Sequence, residues 1–457
     1  MAGIGFRLRR MLDQESYLAT IQAYLFAALI STGPWLITIL VLGLISIMQP
    51  VTFPFTAFDI FRLTIIYVYA FSLIVFGIIQ MPLTRYLADL LYTHDLRMYL
   101  PTYLGALIVV GVVQFTIGGT AVFAFTEWSF TYAAHALILY VVVSFIWVAM
   151  IFITTARDYY SISVAFLVGG AVSLGGSYWL GSGSSMEGYL IGYTLGQVVI
   201  FLLLTVRLAS EFRSEHPISF EFLRYLKRYP TLVIVGFTYN LAIWVDKMLF
   251  WFSPVGRQVD GFLHACALYD VPMFVAFLTI VPSMSLFLIR IETSFYKSYI
   301  GFYGAIVGKS NLPTIRKQKE DMIDTIKLSI LRLLKLQGTI ALVSILVVPY
   351  LIDLLPLTWL QMNILRVGIL GAFLHVLFLL LSILLMYLEF RQEVMWLTFV
   401  FLFGNLIATR VTLNLGIAFY GYGYLVACFL ALAAGVWVLE YRIRDLEYTV
   451  FVQQPVH

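Results

Sequence analysis

The sequence predicts an all-α polytopic membrane protein with twelve transmembrane helices, arranged as two six-helix lobes with both termini in the cytoplasm. Of its 457 residues, 61% are hydrophobic and 11% are charged, whereas soluble domains carry roughly 25% charged residues. Its apolar runs last about 20 residues, the length that crosses a bilayer as a helix. They lack the alternating segments of about ten residues that indicate a transmembrane β-barrel.

The order of apolar and polar stretches divides the chain into five parts. They are an interfacial segment at 1–22, an N-terminal six-helix lobe at 23–208, a cytoplasmic linker at 209–230, a C-terminal six-helix lobe at 231–441 and a cytoplasmic tail at 442–457. The predicted spans are 23–47, 61–84, 103–125, 135–154, 160–178, 189–208, 231–251, 267–289, 336–355, 366–388, 395–415 and 422–441. Within the second lobe, residues 296–335 alternate apolar and charged faces at helical spacing, which predicts an amphipathic helix along the inner membrane surface.

Orientation follows from the 28 lysine and arginine residues, most of which fall in segments on one side of this arrangement. An excess of positive charge marks the cytoplasmic side of a membrane protein. The five exceptions are Arg62, Lys247, Arg257, Arg366 and Arg410. The distribution predicts that the N-terminus and the C-terminus both lie inside.

The first span carries the sequence Ser31-Thr32-Gly33-Pro34-Trp35 near its middle. Proline removes a backbone donor and glycine loosens the turn, so the helix is expected to bend at Gly33 and Pro34. Both a packing bend and a moving gate fit this pattern. In the sixth span, Gly188, Gly192 and Gly196 form a ridge of small residues that favours close helix packing.

The most informative span is 231–251, because it holds the ionisable residues Asp246 and Lys247 within an apolar run. Ionisable residues inside a membrane are costly and usually functional. On a helix, Asn240, Trp244, Lys247 and Trp251 fall on one stripe, while Asp246 points about 100° away from Lys247. With Tyr239, this mixture of amide, aromatic and cationic groups suits a polar, ring-shaped solute.

Two further ionisable residues are predicted at a similar depth: Asp270 begins the eighth span, and Arg410 lies near the outer end of the eleventh. With Asp246 and Lys247 they could neutralise one another across a cavity. The alternative is a static pair or interfacial side chains that reach water. For Asp270 the interfacial position is favoured.

Several function classes lack support in the sequence. The six histidines show no metal-ligand spacing, and Cys266 and Cys428 form no disulfide framework. The segment 304–310 has a Gly-Lys-Ser end but lacks the glycine that a phosphate-binding loop requires five positions earlier, where Tyr303 stands. The net charge of +4 lies almost wholly between the spans. We therefore expect no enzyme activity, no cofactor, no metal and no nucleic-acid partner.

Three stretches carry a resemblance to a known family: MAGIGFRLRRML at 1–12, STGPW at 31–35 and YNLAIWVDKMLFWFSP at 239–254. They resemble the PelG family of exopolysaccharide transporters, within the multidrug/oligosaccharidyl-lipid/polysaccharide (MOP) flippase superfamily. The resemblance implies a multi-pass protein of the bacterial inner membrane that moves the N-acetylhexosamine-rich Pel polymer to the periplasm during biofilm formation. It also implies the partners PelD, PelE and PelF.

The leading hypothesis is a transporter whose path lies between two helical lobes among membrane lipids, with either a flippase or a sustained channel-like mechanism. A second hypothesis is a cation-coupled exchanger of lipid-linked oligosaccharides or small amphiphiles, with Asp246 as the coupling site. A membrane-embedded glycosyltransferase would need a nucleotide-sugar domain or a large outer loop. A scaffold that only assembles a synthase is the fourth hypothesis, and it assigns the function to 296–335.

Overall fold

The structure is a computed structural model that describes residues 37–46, 55–156, 158–181, 186–212, 214, 217–290, 294–351 and 357–453. The interfacial segment expected at 1–22 and the bend expected at Gly33 and Pro34 lie outside these residues.

The described chain is almost entirely helical. Its helices are α1 (Ile37–Ser46), α2 (Phe55–Tyr92), α3 (Tyr99–Phe125), α4 (Phe130–Ala156), α5 (Tyr159–Gly181), α6 (Met186–Glu211), α7 (Leu223–Arg228), α8 (Pro230–Trp251), α9 (Ala267–Leu278), α10 (Val281–Arg290), α11 (Tyr296–Val307), α12 (Leu312–Leu351), α13 (Trp359–Tyr387), α14 (Arg391–Leu415), α15 (Tyr422–Arg444) and α16 (Leu446–Tyr448). Short 3₁₀ turns cover Leu96–Met98 and Ile417–Phe419, and a π turn covers Thr449–Gln453. The strands are β1 (Arg257–Asp260) and β2 (Leu263–Ala265).

In the described residues, ten helices are long and apolar enough to cross a membrane, and two shorter apolar helices, α1 and α9, accompany them. Each of the twelve predicted spans overlaps one of these helices, and the predicted helical membrane fold is confirmed.

Local sequence chemistry explains two helix starts. Pro230 occupies the first turn of α8, where its missing N–H costs nothing. The Gln361 side chain accepts a 2.8 Å hydrogen bond from the Thr358 backbone N–H at the start of α13.

The eighth span was predicted as one helix at 267–289, which is wrong, because the structure breaks it into α9 and α10. At the break, the Thr279 and Ile280 N–H groups bond to carbonyls three residues earlier, each at 3.2 Å. Pro282 follows at the second position of α10 and has no N–H with which to continue the α-helical ladder.

The amphipathic segment also differs from its prediction as a separate helix ending near residue 335. It begins with α11 but then continues through α12, a single helix of 40 residues that includes the ninth predicted span as far as residue 351. The apolar spacing of the segment runs unbroken into that span, and no helix-breaking residue separates the two. The buried side chains Met322, Ile326, Leu333 and Ala341 follow this spacing along one face of α12.

The chain forms two compact units: one is Thr32–Cys266, and the other contains Ala267–His457. The predicted boundary was the linker at 209–230, so the structure differs in placing α8 and the β-hairpin with the N-terminal helices. The physical reason is close packing of α8 on α2, described below.

In the first unit, α5 and α6 pack through glycines, as the ridge in the sixth span predicted. A Cβ atom on Gly192 would lie 2.2 Å from the Gly176 carbonyl carbon, and one on Gly196 would lie 2.3 Å from the Gly169 carbonyl oxygen. A side chain would push the two helices apart, so the glycines set their separation.

In the second unit, α13 is the central helix, with buried residues on all sides. Its residues Leu365 and Ile369 pack with Ala276 of α9 and with Ala341 and Val348 of α12 in one hydrophobic cluster. A helix that is apolar all round is expected at the centre of a membrane bundle.

Candidate functional site

The candidate site is built on α8, whose first half is fixed against α2. A Cβ atom on Gly236 would lie 2.1 Å from the Gly77 carbonyl oxygen, so the two backbones are in direct contact. One turn further along, the buried Asn240 side chain donates a 3.1 Å hydrogen bond to the Gln80 Oε1 atom. The amide pair satisfies polar groups that would be costly to bury alone. Asn240 therefore contributes to helix packing.

Asp246 and Lys247 form an ion pair in the second half of α8. The Lys247 Nζ atom lies 3.2 Å from the Asp246 Oδ2 atom, and the two side chains are 12% and 0% exposed. Nζ also donates a 3.0 Å hydrogen bond to the Ile243 carbonyl oxygen. The sequence predicted that Asp246 would point away from Lys247. The structure differs because the flexible four-carbon lysine side chain reaches back to the carboxylate.

Next to this pair, Trp244 keeps part of its ring accessible. Trp244 is half-buried, and Lys247 Nζ lies 5.9 Å from its ring centroid, within the range of a cation–π contact. Its ring centroid is 6.2 Å from that of Trp251. Trp251 itself is 1% exposed. The accessible part of the predicted stripe is thus narrower than the sequence indicated and excludes Trp251.

Trp251 is buried because it stacks on Tyr67 of α2, with ring centroids 4.7 Å apart and planes 17° from parallel. The Tyr67 hydroxyl in turn donates to the His264 carbonyl oxygen at 2.9 Å and accepts from the His264 N–H at 3.0 Å. One side chain of α2 therefore holds both the end of α8 and strand β2.

The antiparallel β-hairpin that follows α8 is a second feature that the sequence prediction missed. Its register pairs Arg257 with Ala265 and Gln258 with His264. The turn holds Gly261 at φ +51°, a left-handed conformation that favours glycine. The Asp-Gly dipeptide at 260–261 is a recognised hairpin signal and could have revealed the turn.

The hairpin lies against the connection between α3 and α4. The Trp128 Nε1–H donates a 2.5 Å hydrogen bond to the Asp260 carboxylate, and a Cβ atom on Gly261 would lie 2.9 Å from the Phe125 carbonyl oxygen. A depression of about 360 Å³ opens there, lined by residues 124–127 with Asp260 and Gly261. The two acidic side chains of this lining, Glu127 and Asp260, give it a negative potential.

Deeper in the same unit, hydroxyl, amide and indole groups of α2, α4 and α6 form a largely buried polar network. The Tyr69 hydroxyl donates to Gln197 Oε1 at 3.1 Å and accepts from the Tyr193 hydroxyl at 3.3 Å. The Trp147 Nε1–H donates to the Ser72 hydroxyl at 3.1 Å. All these groups are uncharged, which lets the network exist at membrane depth without an ion.

The other residues that the sequence singled out lie on α8, α9 and α14. Tyr239 is half-buried on α8, and Asp270 is half-buried in the first turn of α9, where a carboxylate is favoured by the helix dipole. Arg410 is exposed on α14 in the second unit. The accessible aromatic and cationic groups of α8 are thus Trp244, Lys247 and Tyr239. They present two aromatic rings and one cation, a combination suited to a neutral, hydroxyl-rich ring.

Comparison with known proteins identifies the class. The chain matches the PelG family, described as "Putative exopolysaccharide Exporter (EPS-E)", over residues 1–451. No curated protein matches it.

Three solved structures share its fold. An outward-facing MATE family multidrug resistance transporter of the MOP superfamily is 14% identical, with a TM-score of 0.68, and the match covers 93% of this chain and 96% of that one. A MOP superfamily transporter from Pyrococcus furiosus is 16% identical, with a TM-score of 0.60 and coverage of 92% and 94%. A mutant of the Vibrio cholerae MATE transporter VcmN is 14% identical, with a TM-score of 0.62 and coverage of 97% and 99%. At these identities the likeness shows the fold alone. Together with the family match, it confirms the predicted multi-pass transporter.

Proposed function

The chain belongs to the PelG exopolysaccharide exporter family, and from that membership we propose that it moves the Pel polymer, rich in N-acetylhexosamine, from the cytoplasm to the periplasm across the bacterial inner membrane. The single observation that supports a sugar as the transported solute is the pairing of Trp244 with Lys247 on α8. A flat indole face packs well against the apolar face of a sugar ring. An ammonium group can donate hydrogen bonds to sugar hydroxyl or acetamido oxygens.

We assign contact with the polymer to Trp244, Lys247 and Tyr239, because these residues of α8 are only partly buried. Asn240 acts as a packing residue through Gln80, and the Asp246 carboxylate holds the Lys247 ammonium in place. Arg410 is proposed as a second cationic contact, because its exposed side chain stands in a predicted span.

The rival proposal is a cation-coupled exchanger with Asp246 as the coupling site. The MATE neighbours are transporters of the same fold, which keeps this proposal open. Against it, Lys247 already lies 3.2 Å from Asp246 and supplies the positive charge that a transported cation would bring. A carboxylate that is already paired with a lysine is stabilised less by a second cation.

Export in cells tests the contact residues. In a strain that lacks the native gene, Trp244→Ala should lower secreted polymer, whereas Trp244→Phe should restore most of it, because phenylalanine keeps a stacking face. A stacking contact between two aromatic rings is worth about 0.5–1.5 kcal/mol. With this as the scale for an indole on a sugar ring, the expected loss is about two- to tenfold. Lys247→Ala and Arg410→Ala should also lower export. Membrane levels of each variant are measured by immunoblot.

The matched control is Trp179→Ala, because Trp179 is a largely exposed tryptophan of the same unit. It should export normally. Equal losses for Trp244→Ala and Trp179→Ala at equal protein levels would contradict a specific stacking role.

Translocation by purified components tests the proposed direction and partners. The chain would be reconstituted in vesicles with PelD, PelE and PelF, the partners that we propose from the family, and polymer protected inside the vesicles would be measured. Transport that needs these partners and no ion gradient would favour the polysaccharide exporter. Transport driven by a sodium or proton gradient and abolished by Asp246→Asn would favour the exchanger.

A further inference from the structure

Helix α12 has two opposite faces along its whole length. One face is buried in the second unit through a regular series of side chains: Ile315, Met322, Ile326, Ser329, Leu333, Gln337, Ala341 and Val348. The other face leaves large apolar side chains exposed: Leu328, Leu331, Leu342, Val343, Leu346 and Val347. Because α12 is long and apolar enough to cross a membrane, we infer that this exposed apolar face contacts lipid.

The charges of α12 change character where this lipid-facing surface begins. From residue 312 to 325, cations and acids are equal in number, whereas from 326 to 351 the charged residues are Lys327, Arg332 and Lys335, all cations. Lys327 lies 3.9 Å from Asp324. Arg332 and Lys335 form no ion pair with any residue that the structure describes. Two cations are therefore available just before the helix becomes wholly apolar.

Further along α12, a crevice of about 200 Å³ opens between α9, α12 and α13. Its lining is apolar apart from two hydroxyl side chains, with Val343 and Val347 at its exposed edge and Thr279, at the break between α9 and α10, on its inner side. The break between α9 and α10 is therefore beside the crevice. An apolar crevice that opens toward lipid suits a hydrocarbon chain.

Arg332 and the crevice lie on one line along the helix. Arg332 and Val343 are eleven residues apart, which is three turns plus about 20° of rotation and a rise of about 16 Å. One leaflet of a bilayer has a hydrocarbon thickness of about 15 Å. A lipid with its phosphate at Arg332 could therefore place an acyl chain in the crevice without bending away from the helix.

We propose that α12 binds an anionic phospholipid of the bilayer, with its phosphate on Arg332 and Lys335 and one acyl chain in the crevice beside Val343 and Val347. Arginine and lysine near a membrane surface attract anionic headgroups. The acyl chain fills a void that would otherwise lose van der Waals contacts. This site is independent of the exported solute, so it can be tested whether or not the polymer proposal holds.

The headgroup contact is tested by native mass spectrometry of the purified full chain, titrated with dioleoyl phosphatidylglycerol or dioleoyl phosphatidylcholine. Phosphatidylglycerol should bind more tightly. The double variant Arg332→Gln/Lys335→Gln should weaken its binding about thirtyfold, at about 1 kcal/mol for each cation. The matched control Arg316→Gln/Lys317→Gln removes the same charge about 24 Å away along the helix and should bind like the parent.

The crevice contact is tested with Val347→Phe, which should fill the crevice and weaken binding, and with Leu342→Phe as the control at an exposed position outside the crevice lining. Equal affinity for the two lipids, equal loss in the two double variants, or equal binding by the two phenylalanine variants would overturn the proposal. Equally tight binding of glycerol 3-phosphate, which has no acyl chain, would also overturn it, because the site would then be a phosphate site only.

Discussion

Tyr67 and Trp251 stack face to face, with ring centroids 4.7 Å apart, and the Tyr67 hydroxyl bonds to both backbone groups of His264. This single tyrosine joins α2, the end of α8 and strand β2. An isolated two-stranded hairpin is only marginally stable in water, so this hairpin depends on such anchors. The hairpin is consequently part of the first compact unit, and the chain leaves that unit at Cys266.

Tyr67→Phe should loosen the hairpin while leaving the stacked ring in place. The change removes the hydroxyl, so the His264 N–H and carbonyl groups each lose a hydrogen bond worth about 0.5–1.5 kcal/mol. Hydrogen–deuterium exchange of the purified protein should show faster exchange across 257–265. Tyr178→Phe, at an exposed tyrosine of the same unit, is the control and should leave exchange there unchanged. Unchanged protection in Tyr67→Phe would show that other contacts hold the hairpin.

Removing one partner of the Asp246–Lys247 pair should destabilise the protein more than removing both charges. Lys247→Met leaves the Asp246 carboxylate, which is 0% exposed, without its ammonium partner. Breaking a buried ion pair in this way costs about 3–5 kcal/mol. The variant Asp246→Asn/Lys247→Met should be less destabilised than Lys247→Met in denaturant unfolding of the purified protein. A double variant at least as unstable as the single one would contradict coupling between these residues.

Gly236→Ala should destabilise the contact between α2 and α8. The new Cβ atom would approach the Gly77 carbonyl oxygen at 2.1 Å, so the helices must separate. Overpacking of this kind costs about 1–3 kcal/mol, which thermal unfolding in detergent would detect.

The control is Gly175→Ala, because nothing lies within 4 Å of a Cβ atom at that helical position. Alanine has the higher helix propensity, so this variant should be as stable as the parent or slightly more stable. Equal destabilisation of both variants would argue against close backbone contact as the cause.

Cysteine labelling should establish the orientation in the membrane. Arg257 and Lys317 are exposed, and the charge distribution predicts that residue 257 is outside and residue 317 inside. A membrane-impermeant maleimide added to intact cells should label Arg257→Cys but not Lys317→Cys. The native Cys266 and Cys428 are buried, so the parent should give little background. The reverse labelling pattern would overturn the predicted topology.

The predictions from the sequence were correct where the evidence for a feature lay within a single segment of the chain. Runs of about 20 apolar residues located the helices, and the glycine ridge of the sixth span predicted the tight packing of α5 on α6. The break after α9 was missed because the apolar run continues through it, although Pro282 lies inside the predicted span, where a proline disrupts a helix. The stripe on α8 was only partly informative. Helical spacing placed Trp244 and Trp251 on one face but could not show which of them a distant residue would cover.

The amino-acid sequence alone determined that this chain is a bundle of membrane-spanning helices, because hydrophobic length and composition are local properties, and its stretches at 1–12, 31–35 and 239–254 carried the resemblance to a transporter family. Only the tertiary structure decided that Trp251 is buried, that Lys247 turns back to Asp246 and that α8 packs with the first unit. These outcomes depend on contacts with Tyr67, Gly77 and Gln80, which lie far away along the chain. A side chain's exposure is set by its neighbours in space, and those neighbours are known only once the helices are packed.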